Sequence, residues 1–180
     1  MYEFEDVRIR KFEFRDIENK VRWVNDNENN EFLHFDLPLE YEKTCKWFEA
    51  IKDREDRYDA VIEYKGIPVG IVGFTNIDYK NKKAEEYVIV GETSYKRKGI
   101  ATKAGVLIAL YGFKVLKLNK IVAHVEYGNP SLYLYIKKGF NVEGFLQNDL
   151  WMVDNYVDRF ILGLFEKDLY LPAKIRWVDE

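Results

Sequence analysis

Cysteine is almost missing from this sequence. Cys45 stands alone in 180 residues, so no disulfide closes within one chain and no cysteine-based metal cluster can be assembled. That usage suits a reducing compartment, and a cytoplasmic protein is the expectation. Proline occurs four times and glycine eleven, too few for a collagenous or low-complexity chain. No apolar run nears the roughly 20 residues that span a bilayer. The opening MYEFEDVRIRKFEFRD is charged and alternating, unlike a signal peptide, so no membrane partner is expected. Basic residues are not in excess: 28 Lys and Arg against 31 Asp and Glu leave a net charge of −3. This argues against a broad nucleic-acid-binding face, and no nucleic-acid partner is expected. With no repeat or linker, the chain reads as one domain over 1–180, with a tail from about 168.

What is present is ample apolar material, 47% of residues, in a chain long enough for one core. VRIRKFEF (7–14) alternates as a strand does, and RDIENKVRWVND (15–26) carries Ile17, Val21 and Val24 on one helical stripe. LEYEKTCKWFEAIKDRED is a second helix, with Cys45 on its apolar stripe as a small core residue. YDAVIEY (58–64), IPVGIVGFTNID (67–78) and AEEYVIVG (84–91) are strands joined by short turns, hence antiparallel. A long helix follows from Gly99 to about Val115. Its core stripe is Ile100, Ala104, Leu107, Ile108, Tyr111 and Val115, and a second row of Ala101, Gly105, Ala109 and Gly112 suits close packing on a sheet. KIVAHVE (120–126) then runs parallel to AEEYVIVG through a crossover. NPSLYLYIKKGF is a short helix, with Asn129 at its cap, Pro130 at its first position and Gly139 just past its end. FNVEGFLQNDLWM and YVDRFILGLF are the last strands, and the tail beyond them carries no signal.

The stretch that points to chemistry is SYKRKGIATKAG (94–105), where Lys96, Arg97, Lys98 and Lys103 surround a helix start in a chain of acidic balance. The first amides of a helix lack intrahelical acceptors and bind phosphate oxygens. Gly99 and Ala101 let a ligand approach closely, and the cations add charge-assisted contacts. A P-loop is excluded because no GxxxxGK[ST] occurs. Gly99 to Ala104 only imitates a dinucleotide fingerprint: Glu126 lies too far on, and antiparallel strands precede it.

The same residues resemble the GNAT superfamily of acetyl-CoA-dependent N-acetyltransferases. Its signature [QR]-x-x-G-x-[GA] is matched by Lys96-Arg97-Lys98-Gly99-Ile100-Ala101, with Lys96 where Gln or Arg is usual. Its second signature, an Asn followed by LYxKxGF, is matched by Asn129 and Leu134-Tyr135-Ile136-Lys137-Lys138-Gly139-Phe140. The interval from Asn129 to Tyr135 is one residue shorter than usual. The resemblance covers roughly 5–167 and is nearest to the ribosomal-protein alanine, spermidine and amino-sugar nucleotide N-acetyltransferases. It implies an α/β (α+β) GNAT fold: a central mixed, mostly antiparallel sheet of about seven strands, flanked by about four helices.

It also implies acetyl transfer from acetyl-CoA to a primary amine of a small molecule, an amino-sugar nucleotide or a polyamine, by direct attack in a ternary complex. A protein N-terminal acetyltransferase and a non-catalytic acyl-CoA sensor are the alternatives; a nucleotide-dependent oxidoreductase is disfavoured by strand order. The cofactor would lie on the backbone of Arg97, Lys98, Gly99, Ile100, Ala101 and Thr102, with Lys96 and Asn129 nearby. A backbone N–H near Ile89 or Val90 would meet the thioester oxygen. Tyr135 occupies the family's general-acid position. The base candidates are His124, whose imidazole class titrates near neutrality, Glu86 and Glu126. Glu86 shares a strand face with Val88 and Val90, and Glu126 shares one with His124. Acceptor contacts are expected from Trp23, Asp26, His34, Phe35, Glu126 and Trp151. A nucleotide sugar would need a second basic patch, for which Arg15, Lys20 and Arg22 are candidates, whereas a polyamine would need converging carboxylates. No metal is expected, and a homodimer is the assembly the resemblance admits.

Overall fold

The computed structural model describes residues 2–29, 35–152 and 154–177. Among the described residues nine strands form one sheet in the order β7-β8-β6-β5-β4-β3-β2-β1-β9. They are β1 (Tyr2–Phe4), β2 (Val7–Lys11), β3 (Tyr58–Tyr64), β4 (Ile67–Asp78), β5 (Lys83–Val90), β6 (Lys120–Glu126), β7 (Asn141–Met152), β8 (Asn155–Leu164) and β9 (Ile175–Trp177). Four α-helices flank them: α1 (Ile17–Asn25), α2 (Tyr41–Ile51), α3 (Ile100–Lys114) and α4 (Ser131–Lys138).

Nine strands replace the seven expected. The two extra ones are three residues each, too short for a periodic signal, and they pair with each other (Phe4 with Ile175). The tail is therefore part of the sheet. β2 is also shorter than the run 7–14, because Phe14–Asp16 coil into a 3₁₀ turn that leads into α1.

Alternation in the central strands separates two cores. Ala60, Ile62, Val72 and Phe74 pack with α3, as do Val88 and Val90 at the core's edge. Val61 and Ile71 face the other way, into a smaller cluster with Ile17 and Trp23, edged by Cys45, Trp47, Tyr87 and Ile89. The β3–β4 hairpin turns on Lys65 and Gly66, both at positive φ (51° and 79°), as a two-residue turn requires. Within α3, a Cβ on Gly112 would stand 2.8 Å from the Phe74 ring, which accounts for a glycine in a helix interior. The stripe expected on α3 runs one residue too far: Val115 caps the helix and is exposed. The short helix begins at Ser131, one residue later than its sequence suggests.

Candidate active site

The site arises where β5 and β6 part. Their parallel pairing ends at Glu85 and Val122, although β5 continues to Val90 and β6 to Glu126. β5 stays bound to β4 as far as Val90 opposite Gly70. A Cβ on Gly70 would lie 2.2 Å from the Ile89 carbonyl oxygen, so the missing side chain lets β5 lean onto β4 there. The edge of residues 86–90 that faces β6 is consequently unpaired, and alternate amides along a strand point to that side.

Beyond β5 the chain enters the cationic turn and α3. Arg97 and Gly99 both take left-handed backbone (φ 62° and 74°), with Gly99 at the helix N-cap. The first intrahelical bond near this end runs from the Lys103 N–H to the Gly99 carbonyl. The amides of Ile100, Ala101 and Thr102 thus lack intrahelical acceptors. A Cβ on Gly99 would meet nothing within 4 Å, so the space above these amides is open. The four cations divide. Lys96 donates to the Glu28 carbonyl at 2.7 Å and Lys103 to Glu5 at 2.7 Å, whereas Arg97 and Lys98 remain exposed. Open amides with two exposed cations are a donor set suited to a pyrophosphate.

A narrow slot lined by Val88, Ala101, Thr102, Ser131 and Tyr135 leads from this helix end. Tyr135 also lines a cavity of about 350 Å³ on the other side, with Glu85, His124, Glu126, Asn129 and Asp59. The tyrosine therefore stands between the cradle and the cavity. It is 7% exposed, and burial, followed by Glu86, Glu126 and Glu85, raises its hydroxyl pKa well above the ordinary value. It keeps its proton at neutral pH. A larger cavity of about 630 Å³ adjoins at Arg57 and Asp59, walled by Phe14, Phe48, Tyr79 and Tyr111, but it contains neither Tyr135 nor any β6 residue.

His124 Nδ1 lies 2.7 Å from Glu85 Oε1. The bond to His124 lowers the Glu85 pKa, so this carboxylate is ionised and only accepts. Nδ1 then carries the proton, so that in the neutral ring Nε2 is the acceptor, on a side chain that lines the cavity. Asn129 is fixed from both ends: its Nδ2 donates to Glu126 at 2.8 Å, and its Oδ1 accepts from the Ser131 N–H at 2.9 Å.

Glu86 is among the residues that line this cavity, with its carboxylate on the far face of the strand, and several other expected site residues sit elsewhere. Glu86 is wholly buried in an ion pair with Lys138, on the α3 face of the sheet, with Oε2 unpartnered. Burial raises its pKa. This face is turned from the histidine, so the carboxylate beside His124 is Glu85. Two adjacent glutamates on one strand point to opposite faces, and the sequence does not disclose which of them meets His124. Trp23 is a core residue, 1% exposed, with Nε1 donating to Glu92 at 2.9 Å. Asp26 closes a local turn by accepting from the Glu28 N–H. Trp151 is exposed on β7 against Tyr156. His34 lies outside the described residues. Phe35 and Glu126 do line the cavity. Arg15, Lys20 and Arg22 form no common patch: Arg15 pairs with Glu13, Arg22 with Glu92, and Lys20 is buried. Asp59, Tyr87 and Lys20 line the cavity too, brought there by long-range packing that leaves no local signature.

Comparison with known proteins gives one picture. The family model for the acetyltransferase (GNAT) domain matches residues 6–140. The spermidine N(1)-acetyltransferase of Escherichia coli K12 is 30% identical over 166 residues, which cover 89% of this chain and 86% of the relative. The uncharacterized N-acetyltransferase p20 of Bacillus licheniformis is 25% identical over 170 residues, covering 91% and 95%. Among solved structures, the spermidine N-acetyltransferase from Vibrio cholerae in complex with CoA and spermine has a TM-score of 0.84 at 22% identity. That match spans 91% of this chain and 98% of the other, and shows the shared fold.

Proposed function

This chain belongs to the GNAT acetyltransferase family and is an acetyl-CoA-dependent N-acetyltransferase, and from that premise we propose that its acceptor is a primary amine of a polyamine-type small molecule. The observation that carries the proposal is the pair of carboxylates Glu85 and Glu126 in one cavity with His124 and Tyr135, while the guanidiniums of that cavity, Arg57 and Arg159, are each paired with an aspartate, Asp59 and Asp149. A polycation is recognised by such carboxylates. A nucleotide sugar would need a basic patch, which Arg15, Lys20 and Arg22 do not form. The 30% identity to a spermidine N(1)-acetyltransferase supports the same class.

Acetyl-CoA, when bound, supplies the acetyl thioester. The open amides at 100–102, with Arg97 and Lys98, would hold its pyrophosphate. The unpaired edge of β5 would align the pantetheine arm by strand addition, and a backbone N–H at Ile89 or Val90 would serve the carbonyl oxygen. His124 Nε2 takes the proton that the amine must lose, and Glu85 holds the imidazole in the tautomer this needs. Tyr135, protonated and at the boundary of cradle and cavity, would donate its proton to the thiolate that leaves. Bond formation at nitrogen and loss of the thiol occur in one complex, without an acyl-enzyme, so Cys45 has no part.

The test is release of free CoA thiol by the full chain at pH 8 with acetyl-CoA and a panel of acceptors: spermidine, spermine, an amino-sugar nucleotide and a peptide with a free α-amine. The expected result is the highest kcat/KM for a polyamine. Turnover of the nucleotide sugar or the peptide alone would contradict the proposal.

A further inference from the structure

Three cations line the acceptor cavity, Lys20, Arg57 and Arg159, of which Arg57 and Arg159 are paired with Asp59 and Asp149. Lys20 reaches the cavity from α1, only 5% exposed. Its Nζ lies 3.1 Å from the centroid of the Trp47 ring, 5.7 Å from that of Phe35 and 5.9 Å from that of Phe12. Three rings around one ammonium make an aromatic box of the kind that recognises alkylammonium groups. Arg57 approaches the same Trp47 ring at 5.2 Å.

The groups facing Lys20 do not neutralise it. Asp59 on β3 is the nearby anion, but it accepts two bonds from Arg57, both at 2.7 Å, and one from the Tyr87 hydroxyl at 2.5 Å. β5 presents Tyr87, which burial keeps protonated. α2 and the end of β2 present the rings of Trp47 and Phe12. Glu85 and Glu126 also line the cavity, bonded to His124 and Asn129. A buried ammonium without a carboxylate of its own is costly, and burial lowers the Lys20 pKa to about 7.

We infer that Lys20 is the specificity-determining residue of the acceptor cavity: its amino group fills, from within the fold, the aromatic box that a second ammonium of the acceptor would otherwise take. The inference rests on the amine-acceptor reading above. Charged, Lys20 repels the distal cation of a polyamine in a poorly screened site. Neutral, it offers a lone pair to that cation. Discrimination against acceptors with two or more ammonium groups is thus strong below pH 7 and fades above it.

The test compares kcat/KM for spermidine with that for butylamine, which has no distal cation, at pH 6.5 and pH 8.5. In the native protein the spermidine-to-butylamine ratio is expected to rise several-fold between these pH values. In Lys20→Met it is expected to be high at both, about tenfold above native at pH 6.5. In Lys20→Arg, whose charge persists at both pH values, it is expected to stay low. A ratio that is the same in all three proteins at each pH would overturn the inference while leaving the acetyltransferase reading intact. Loss of turnover with both amines in the native protein would overturn the amine-acceptor reading and, with it, this one.

Discussion

His124 on β6 and Glu85 on β5 meet at 2.7 Å across the line where these two strands cease to pair. Because Glu85 is ionised and can only accept, it fixes which imidazole nitrogen is free. Glu85→Gln replaces that acceptor with a group that can also donate, so the ring is able to adopt the wrong tautomer. We expect Glu85→Gln to lower kcat by about as much as His124→Ala, on the order of a hundredfold, with little change in acetyl-CoA affinity. Full activity in Glu85→Gln, measured by thiol release, would remove the pair from the mechanism. The same pair affects stability. A carboxylate whose folded pKa is lowered adds stability above its unfolded value, and loses it as pH falls through the folded value. The native protein should therefore lose its stability advantage over Glu85→Gln as pH drops below about 4, as read by chemical denaturation.

Tyr135 is held protonated by its surroundings, which suits a proton donor. Tyr135→Phe keeps the ring and its edge contact with Phe140, 5.1 Å between centroids, and removes the proton. The expected outcome is a fall in kcat of about a hundredfold or more with an unchanged Kd for acetyl-CoA. Equal losses in both would indicate a packing role alone.

The buried pair of Lys138 and Glu86 occupies space that Gly105 leaves open, since a Cβ there would lie 2.9 Å from Lys138 Nζ. Removing one partner strands a charge in the core. Lys138→Met should cost about 3–5 kcal/mol, and the double variant Lys138→Met, Glu86→Leu should regain most of it. Urea midpoints decide this: a double variant no more stable than the single would show that the pair itself holds α4 in place.

Lys20 gives an independent stability signal. Its folded pKa, about 7, lies below that of the unfolded chain, so the unfolded state binds more protons between the two values. Stability conferred by this site should rise from pH 7 to pH 10 and be flat below 7. Relative to Lys20→Met, the native protein should gain on the order of a few kcal/mol over that range. Parallel stability curves for the two proteins would contradict the burial argument.

The element order and the cationic turn proposed to hold the cofactor were legible in the sequence, because both are local. SYKRKGIATKAG spans one turn and one helix start, and Asn129 to Phe140 spans one short helix. The proposed acceptor cavity is assembled from residues far apart in the chain: Lys20 and Trp47 from α1 and α2, Asp59 from β3, Glu85 from β5 and His124 from β6. Choosing Glu85 over Glu86 required knowing that α1 and α2 cover the acceptor face, which strand parity alone does not tell. Trp23 lies beside the stripe of Ile17, Val21 and Val24, and it fills the smaller core, where a Cβ on Gly91 would be 2.1 Å from the indole. The three-residue strands at both ends were illegible for want of length.

The most direct measurement is a calorimetric titration of the native protein and of Gly99→Val with acetyl-CoA. Gly99 has positive φ and opens onto free space at the start of α3, so a branched side chain both strains that backbone and covers the amides. Saturable binding at one site per chain, weakened at least tenfold by Gly99→Val while the fold is retained, is the predicted result. Equal affinity in the two proteins would contradict the claim that the helix start and the parted strands form the cofactor site.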